Sequence, residues 1–171
     1  MSLTRHGDPW VFAYGSLIWN PLLDFEERHP ATLRGFHRRF CLWSKTGRGT
    51  PDRPGLVLGL DRGGCCRGIA YRIPRAKCDL EFRLLWRREM IAGAYQAKWV
   101  PVRIDDEEQF ALAFVINRTH ANYAGKLPTD RLVETLATAS GRLGSSRDYL
   151  FQAAEGLRTH GVSDPLLEDL R

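Results

Sequence analysis

Apolar residues recur at about every second position through the first two-thirds of this chain. Through its last third they recur at every third or fourth. That change of period restricts the fold more than any other feature. Alternation suits a strand with one buried face, and the longer spacing suits an amphipathic helix. The alternation is strictest at Phe110, Leu112, Phe114 and Ile116. Ile69, Tyr71 and Ile73 alternate too, Trp99, Val100, Val102 and Ile104 form another strand, and Leu56 to Leu60 is a short apolar one. From Ala31 to Trp43 a strand-like segment sets Phe36, Phe40 and Leu42 on one face among arginines. One helix interrupts these strands. Leu80, Leu84 and Leu85 take helical spacing, Phe82 and Trp86 widen the apolar surface, and Gly93 marks a stop. Strands first and helices last argue an α+β fold, with a mixed, mainly antiparallel sheet able to close into a small barrel.

The punctuation between elements is equally readable. Trp19-Asn20-Pro21 is a turn, followed by a short polar stretch to His29-Pro30. Thr46 to Pro54 reads as a surface loop and Asp61-Arg62-Gly63-Gly64 as a hairpin. Asp105-Asp106-Glu107-Glu108 reads as a solvated turn. Pro128 sits near the start of a helix carrying Leu132, Val133, Leu136 and Ala137 up to Ser140-Gly141. Ser145-x-x-Asp148 is a capping box for a second helix running to His160-Gly161, and Asp164-Pro165 starts a last short one. With no repeats and no linker, residues 1–171 read as one domain. A chain of this length buries roughly 70% of its unfolded surface, so its core needs no staples.

Charge and cysteine usage narrow the class. A net charge of +5 is mild and favours a small anionic substrate as readily as nucleic acid. The basic runs at Arg34 to Arg39 and at Arg87-Arg88 are too short for a nucleic-acid arm and read as a solvated face, so no nucleic-acid partner is expected. The cysteines are Cys41, Cys65, Cys66 and Cys78. They form no C-x-x-C pair, and adjacent Cys65 and Cys66 do not suit a disulfide framework. Met1 to Pro9 has no apolar signal core, and no uncharged run approaches a membrane span. The expectation is a reduced, cytoplasmic protein without a membrane partner.

Several catalytic templates are missing. There is no G-x-x-x-x-G-K, no H-E-x-x-H and no G-x-S-x-G around Ser16, and Gly47-x-Gly49 is followed by Asp52 where a dinucleotide fingerprint needs Gly. His6, His29, His37, His120 and His160 are scattered, so no metal and no cofactor is expected. Two features remain. In Trp10-Val11-Phe12-Ala13-Tyr14-Gly15-Ser16-Leu17 an apolar strand stops abruptly at Gly-Ser. A tight loop there, with Gly15 allowing a turn barred to side chains, presents backbone N–H groups and the Ser16 hydroxyl to an anionic or carbonyl oxygen. The plainer reading is a strand followed by an ordinary turn. The second feature is Glu89, in or just beyond the last turn of the apolar helix. The negative helix end and partial burial both disfavour its charge, as suits a general base, while Arg87 and Arg88 oppose that shift. The plainer reading is a surface acid paired with one of those arginines.

At these positions the chain resembles the ChaC-like γ-glutamylcyclotransferases, which act on glutathione. Val11-Phe12-Ala13-Tyr14-Gly15-Ser16-Leu17-Ile18-Trp19 is similar to the family's opening motif. Leu33-Arg34-Gly35-Phe36-His37-Arg38-Arg39-Phe40 is similar to its second strand. Arg48-Gly49-Thr50-Pro51 to Pro54-Gly55 and Gly68-Ile69-Ala70-Tyr71 also match. Arg88-Glu89-Met90 with Gly93-Ala94-Tyr95 resembles the stretch holding the family's catalytic glutamate. Gly141 to Leu150, ending Arg147-Asp148-Tyr149-Leu150, resembles its C-terminal motif. In two places the chain departs. Ala13 stands where many members have Gly, which narrows the loop, and Ser146 stands where many have Asn, which leaves the backbone and Tyr149 to carry that motif.

The resemblance implies helices packed around a small barrel and, for glutathione, attack of the γ-glutamyl α-amine on its own γ-carbonyl to give 5-oxoproline and Cys-Gly. It implies Glu89 as the catalytic proton carrier. It implies substrate binding by Val11, Phe12, Ala13, Tyr14, Gly15, Ser16, Leu17 and Tyr149, with no cofactor. Three other readings stand beside it: a cyclotransferase for other γ-glutamyl-amines or γ-glutamyl-amino acids, a non-catalytic module binding an acidic ligand or RNA through Arg34, Arg38 and Arg39, and a Ser16 hydrolase.

Overall fold

The computed structural model describes residues 7–171; His6 and the rest of the leading segment lie outside the described residues. Five strands build the frame: β1 (Trp10–Ala13), β2 (Glu27–Ser44), β3 (Gly55–Arg72), β4 (Tyr95–Ile104) and β5 (Glu107–Ile116). They close a barrel in the order β1-β3-β2-β4-β5. Every pairing among them is antiparallel except β5 against β1, which is parallel and closes the ring. Helix α1 (Cys78–Met90) connects β3 to β4, and α2 (Thr129–Thr138), α3 (Ser146–Thr159) and α4 (Pro165–Leu170) follow the barrel. Two short strands, β6 (Ser140–Gly141) and β7 (Gly144–Ser145), form a hairpin before α3. The mixed barrel and the helical last third match the expected fold.

The core joins strand and helix residues. Phe12, Leu33, Phe40, Leu58, Leu60, Tyr71 and Phe114 pack with Ala153, Ala154 and Leu157 of α3. Each large side chain buried in this way contributes about 1.5–3 kcal/mol relative to exposure. The expected capping box is present at α3. Ser145 Oγ accepts from the Asp148 N–H, and the Asp148 carboxylate accepts from the Ser145 N–H. The Asp164 side chain caps α4 through the Leu167 N–H.

Several local expectations are overturned. Asp61-Arg62-Gly63-Gly64 is not a hairpin, because β3 runs through it as one strand of 18 residues. Gly63 and Gly64 take φ of 95° and 70° and form a bulge in β3, two residues set against the single Gly35 of β2, whose φ is 88°. These glycines bend the paired strands sharply without reversing them. β2 starts at Glu27, taking in His29-Pro30. Pro30 is tolerated because β2 pairs with β3 there, while pairing with β4 begins only at Ala31. A second irregularity, between Phe40 and Leu42, breaks the single face expected for Phe36, Phe40 and Leu42. Phe40 stays in the main core, and Leu42 joins a satellite cluster with Cys41, Ala94 and Ile116.

The helix α1 ends where expected, and its burial is the surprise. Leu80, Leu84 and Trp86 are exposed, while Leu85 and Glu81 are buried. In β5, Phe110 is exposed and every residue from Ala111 to Ile116 is buried, so the strand loses its one-sided character as it enters the core. Only Asp105-Asp106 forms the acidic turn, with Glu107 and Glu108 beginning β5. The loop from Thr46 to Pro54 is not wholly surface. Gly49 is buried where a Cβ would lie 2.0 Å from the Gly55 nitrogen.

Candidate functional site

The strand β1 ends at Ala13, and the chain turns at once. The Ile18 N–H donates to the Gly15 carbonyl (2.9 Å), and the Asn20 N–H donates to the Ser16 carbonyl (2.9 Å). This single helical turn leaves its leading donors over. The N–H groups of Gly15, Ser16 and Leu17 make no hydrogen bond among the described residues. Gly15 does not have the positive φ expected of it. What the glycine supplies there is space: a Cβ would sit 3.0 Å from the Tyr149 hydroxyl oxygen, tighter than an ordinary contact.

The turn forms one wall of a cleft of about 300 Å³ lined by Tyr14, Gly15, Ser16, Leu17, Glu89 and Tyr149, together with Leu58, Tyr95 and Phe114. Six of the predicted residues therefore meet in one place. Val11, Phe12 and Ala13 do not line it; they are fully buried in β1. Ala13 pairs with Ile69 within that strand, so its methyl group does not narrow the loop.

Glu89 arrives from the last turn of α1, and its side chain is 14% exposed. Burial raises its carboxyl above the usual carboxylate range, and Arg88 pulls in the other direction without prevailing. Arg88 Nε lies 3.3 Å from Glu89 Oε1. The same guanidinium donates to Ser16 Oγ (3.0 Å) and to the Asn20 carbonyl (2.8 Å), tying the loop to the end of the helix. The expected solvated face is thus corrected at Arg88. It is corrected again at Arg38, buried and engaged with the Tyr14 carbonyl, the Arg67 carbonyl and Asp164.

Three phenols complete the wall. The Tyr14 hydroxyl donates to the Phe114 carbonyl (2.7 Å), and the Tyr95 hydroxyl reaches the Leu58 carbonyl (3.5 Å). The Tyr149 hydroxyl accepts from the Leu58 N–H (3.3 Å). Leu58 offers both groups because β1 covers β3 only from Ile69 to Arg72. Burial, helped by the neighbouring Glu89, pushes all three phenols up, so they stay neutral donors. Trp19 meets the Tyr149 ring edge-on at 5.1 Å, and the Arg48 guanidinium lies over that ring at 5.4 Å. Ser146 supports this wall from behind. Its hydroxyl accepts from the Leu56 N–H (3.1 Å) and donates to the Arg48 carbonyl (3.2 Å).

Leu58, Tyr95 and Phe114 are lining residues that sequence reasoning misses. The alternation of Phe110, Leu112 and Phe114 marks a strand, with no sign of which phenylalanine faces a ligand. Tyr95, next to Gly93-Ala94, carries the clearer signal. Among the described residues, no three His, Cys, Asp or Glu side chains converge as metal ligands.

The family described as ChaC-like protein matches residues 9–171. A glutathione-specific gamma-glutamylcyclotransferase of Escherichia coli (strain K12) is 41% identical over 165 residues, covering 96% of this chain and 71% of that protein. The Homo sapiens protein named glutathione-specific gamma-glutamylcyclotransferase 1 is 31% identical, covering 91% of this chain and 73% of its own. A crystal structure of a yeast gamma-glutamyl cyclotransferase specific to glutathione superimposes with a TM-score of 0.85 at 22% identity, over 96% of this chain and 94% of that one.

Proposed function

The chain belongs to the ChaC-like family of γ-glutamylcyclotransferases, and on that footing we propose that it cyclises the γ-glutamyl group of glutathione, releasing 5-oxoproline and Cys-Gly. The observation that carries this reading is one cleft holding a partly buried, charge-disfavoured Glu89, three neutral phenols and three unengaged N–H groups at Gly15 to Leu17.

The reaction suits that set. Its nucleophile is the substrate's own α-amine, so the site needs no Ser or Cys nucleophile. Holding the substrate folded supplies much of the roughly 7–11 kcal/mol available from orientation. The amine arrives as an ammonium. Glu89 takes a proton from it, the freed amine attacks the γ-carbonyl carbon, and a five-membered ring closes. The ring nitrogen, cationic after the attack, gives up a second proton as it becomes the lactam N–H. As the amide C–N bond breaks, the cysteinyl nitrogen leaves with the proton that Glu89 returns and takes up the second as its own ammonium. A raised carboxyl is a better match for this shuttle than an ordinary one. The N–H groups of the turn and the phenols stabilise the α-carboxylate or the oxygen on which charge builds. Ser16 is held by Arg88 as a hydrogen-bond acceptor, an arrangement that does not favour Ser16 as an acyl nucleophile.

No described helix is long and apolar enough to cross a membrane. All four cysteines are unpaired, which agrees with work in a reducing compartment. The test is a product assay with reduced glutathione. Equal amounts of 5-oxoproline and Cys-Gly, unaffected by EDTA, are expected. Free glutamate as product, or turnover only of other γ-glutamyl compounds, overturns the assignment.

A further inference from the structure

We propose that the seam between β2 and β4 is a second binding site, for a small organic anion that carries an apolar group. The two strands pair only from Ala31–Leu33 to Val102–Ile104. Just beyond, β3 bulges at Gly63-Gly64 opposite Gly35 and β2 bends away with it, leaving the β4 edge from Tyr95 to Pro101 without a strand partner on that side. A cleft of about 390 Å³ opens in the gap. Half-buried Phe36 gives it accessible apolar surface, over a floor packed by the buried Leu60, Val115 and Ile116. Phe114 faces the first cleft and Val115 this one, as expected of successive strand residues, so the two sites flank the same strand.

The charged part of the lining is cationic, Arg62, Lys98 and Arg118 with no carboxylate, and Gln96, Asn117 and Thr119 add neutral polar groups. Arg62 and Lys98 form no ion pair among the described residues. Arg118 is fixed from behind by Asp61, whose carboxylate is fully buried. Asp61 Oδ1 accepts from Arg118 Nε (2.7 Å) and the Arg62 N–H (2.9 Å), and Oδ2 accepts from Tyr123 (2.7 Å) and Arg39 (3.1 Å). Against the cost of burial, the hydrogen bonds from Arg118 and Tyr123 hold that carboxyl below its ordinary range, so it remains a fixed anchor. The acid is spent on its own partners and the wall facing the cleft stays positive. An apolar floor with convergent cations is the composition that captures an amphiphilic anion.

The test is a titration of the uniformly ¹⁵N-labelled full chain, followed by amide resonances, with phenyl phosphate, inorganic phosphate and phenol. Phenyl phosphate should shift Gln96, Lys98, Arg118 and Thr119 saturably. Its midpoint should lie at least about tenfold below that of either fragment, equivalent to about 1.4 kcal/mol. The paired substitution Arg62→Glu with Lys98→Glu should raise that midpoint at least about tenfold without lowering the melting temperature, since neither side chain is in an ion pair. No saturable shift, shifts confined to Tyr14–Leu17, or unchanged affinity in the charge-reversed chain would overturn the site. Inorganic phosphate binding as tightly as phenyl phosphate would overturn the ligand class.

Discussion

Arg38 Nε donates to the Tyr14 carbonyl oxygen across 2.7 Å, linking mid-β2 to the first residue after β1. The contact orients the peptide plane between Tyr14 and Gly15. With that carbonyl aimed at Arg38, the Gly15 N–H of a trans peptide points the other way. Arg38 is held by the Arg67 carbonyl (2.8 Å) and by Asp164, the cap of α4. The last helix is therefore coupled to the turn that lines the cleft. Removing one charge of this pair strands the other in the interior, at a cost of about 3–5 kcal/mol.

Arg38→Met combined with Asp164→Asn separates positioning from folding. Neither charge remains, and Asn still caps α4. The Tyr14 carbonyl loses its donor, at a cost of about 1–3 kcal/mol, so the variant should melt several degrees below wild type. Measured well below that melt, kcat should fall at least about tenfold because the Tyr14–Gly15 peptide is no longer held. Wild-type kcat in the folded double variant would reduce Arg38 to a structural residue.

Gly15→Ala tests the crowding at Tyr149. The new methyl group meets the hydroxyl at 3.0 Å, and that ring is flanked by Trp19 and Phe40. Thermal stabilisation by glutathione should be lost in Gly15→Val and weakened in Gly15→Ala. Because the two groups are in contact, Gly15→Ala and Tyr149→Phe should also be non-additive, the pair costing less than the sum of the singles. Additive costs, or normal stabilisation in Gly15→Val, would show that the contact does not shape the cleft.

Ser146→Ala should act on stability alone. It leaves the buried Leu56 N–H without its acceptor, at a cost of about 1–3 kcal/mol. In a chain of this size that is a fall of about 2–12 °C in melting temperature. Substrate does not touch Ser146 in the proposed reaction, so kcat measured well below the melt should be close to wild type. A large fall in kcat with an unchanged melt would move Ser146 into the site.

The elements of this fold are legible wherever local chemistry decides the backbone. The capping box at Ser145-Asp148 and the stop at Gly93 depend on neighbours in sequence, and both are present. What cannot be read depends on partners far along the chain. Gly63 and Gly64 look like a hairpin until β2 pairs along both sides of them, with Gly35 opposite, and makes them a bulge within one strand. Arg38 looks like one more surface arginine until Asp164, 126 residues away, is brought beside it. The site follows the same rule. Gly15, Ser16 and Glu89 stand out by their local setting, whereas Leu58 enters only because β1 is too short to cover that edge of β3.

Glu89 joins stability to chemistry through pH. Burial raises its carboxyl in the folded chain above the ordinary value of about 4.3 that the unfolded chain keeps. Between those two values the folded chain holds a proton that the unfolded chain has lost, so stability falls as pH rises through the window. The contribution is fully present below the ordinary value and is lost once pH passes the raised one. Glu89→Gln has no charge to bury. It should melt above wild type at pH 8, and the difference should close toward pH 4. Its turnover should fall roughly 10²–10⁴-fold, because the amide cannot accept the ammonium proton. In wild type the acid limb of kcat/KM should fall with a midpoint above the ordinary carboxylate value. Near-normal turnover in Glu89→Gln would end its role as the proton carrier, and a melting difference that does not vary with pH would show that burial of its charge is not what sets it apart.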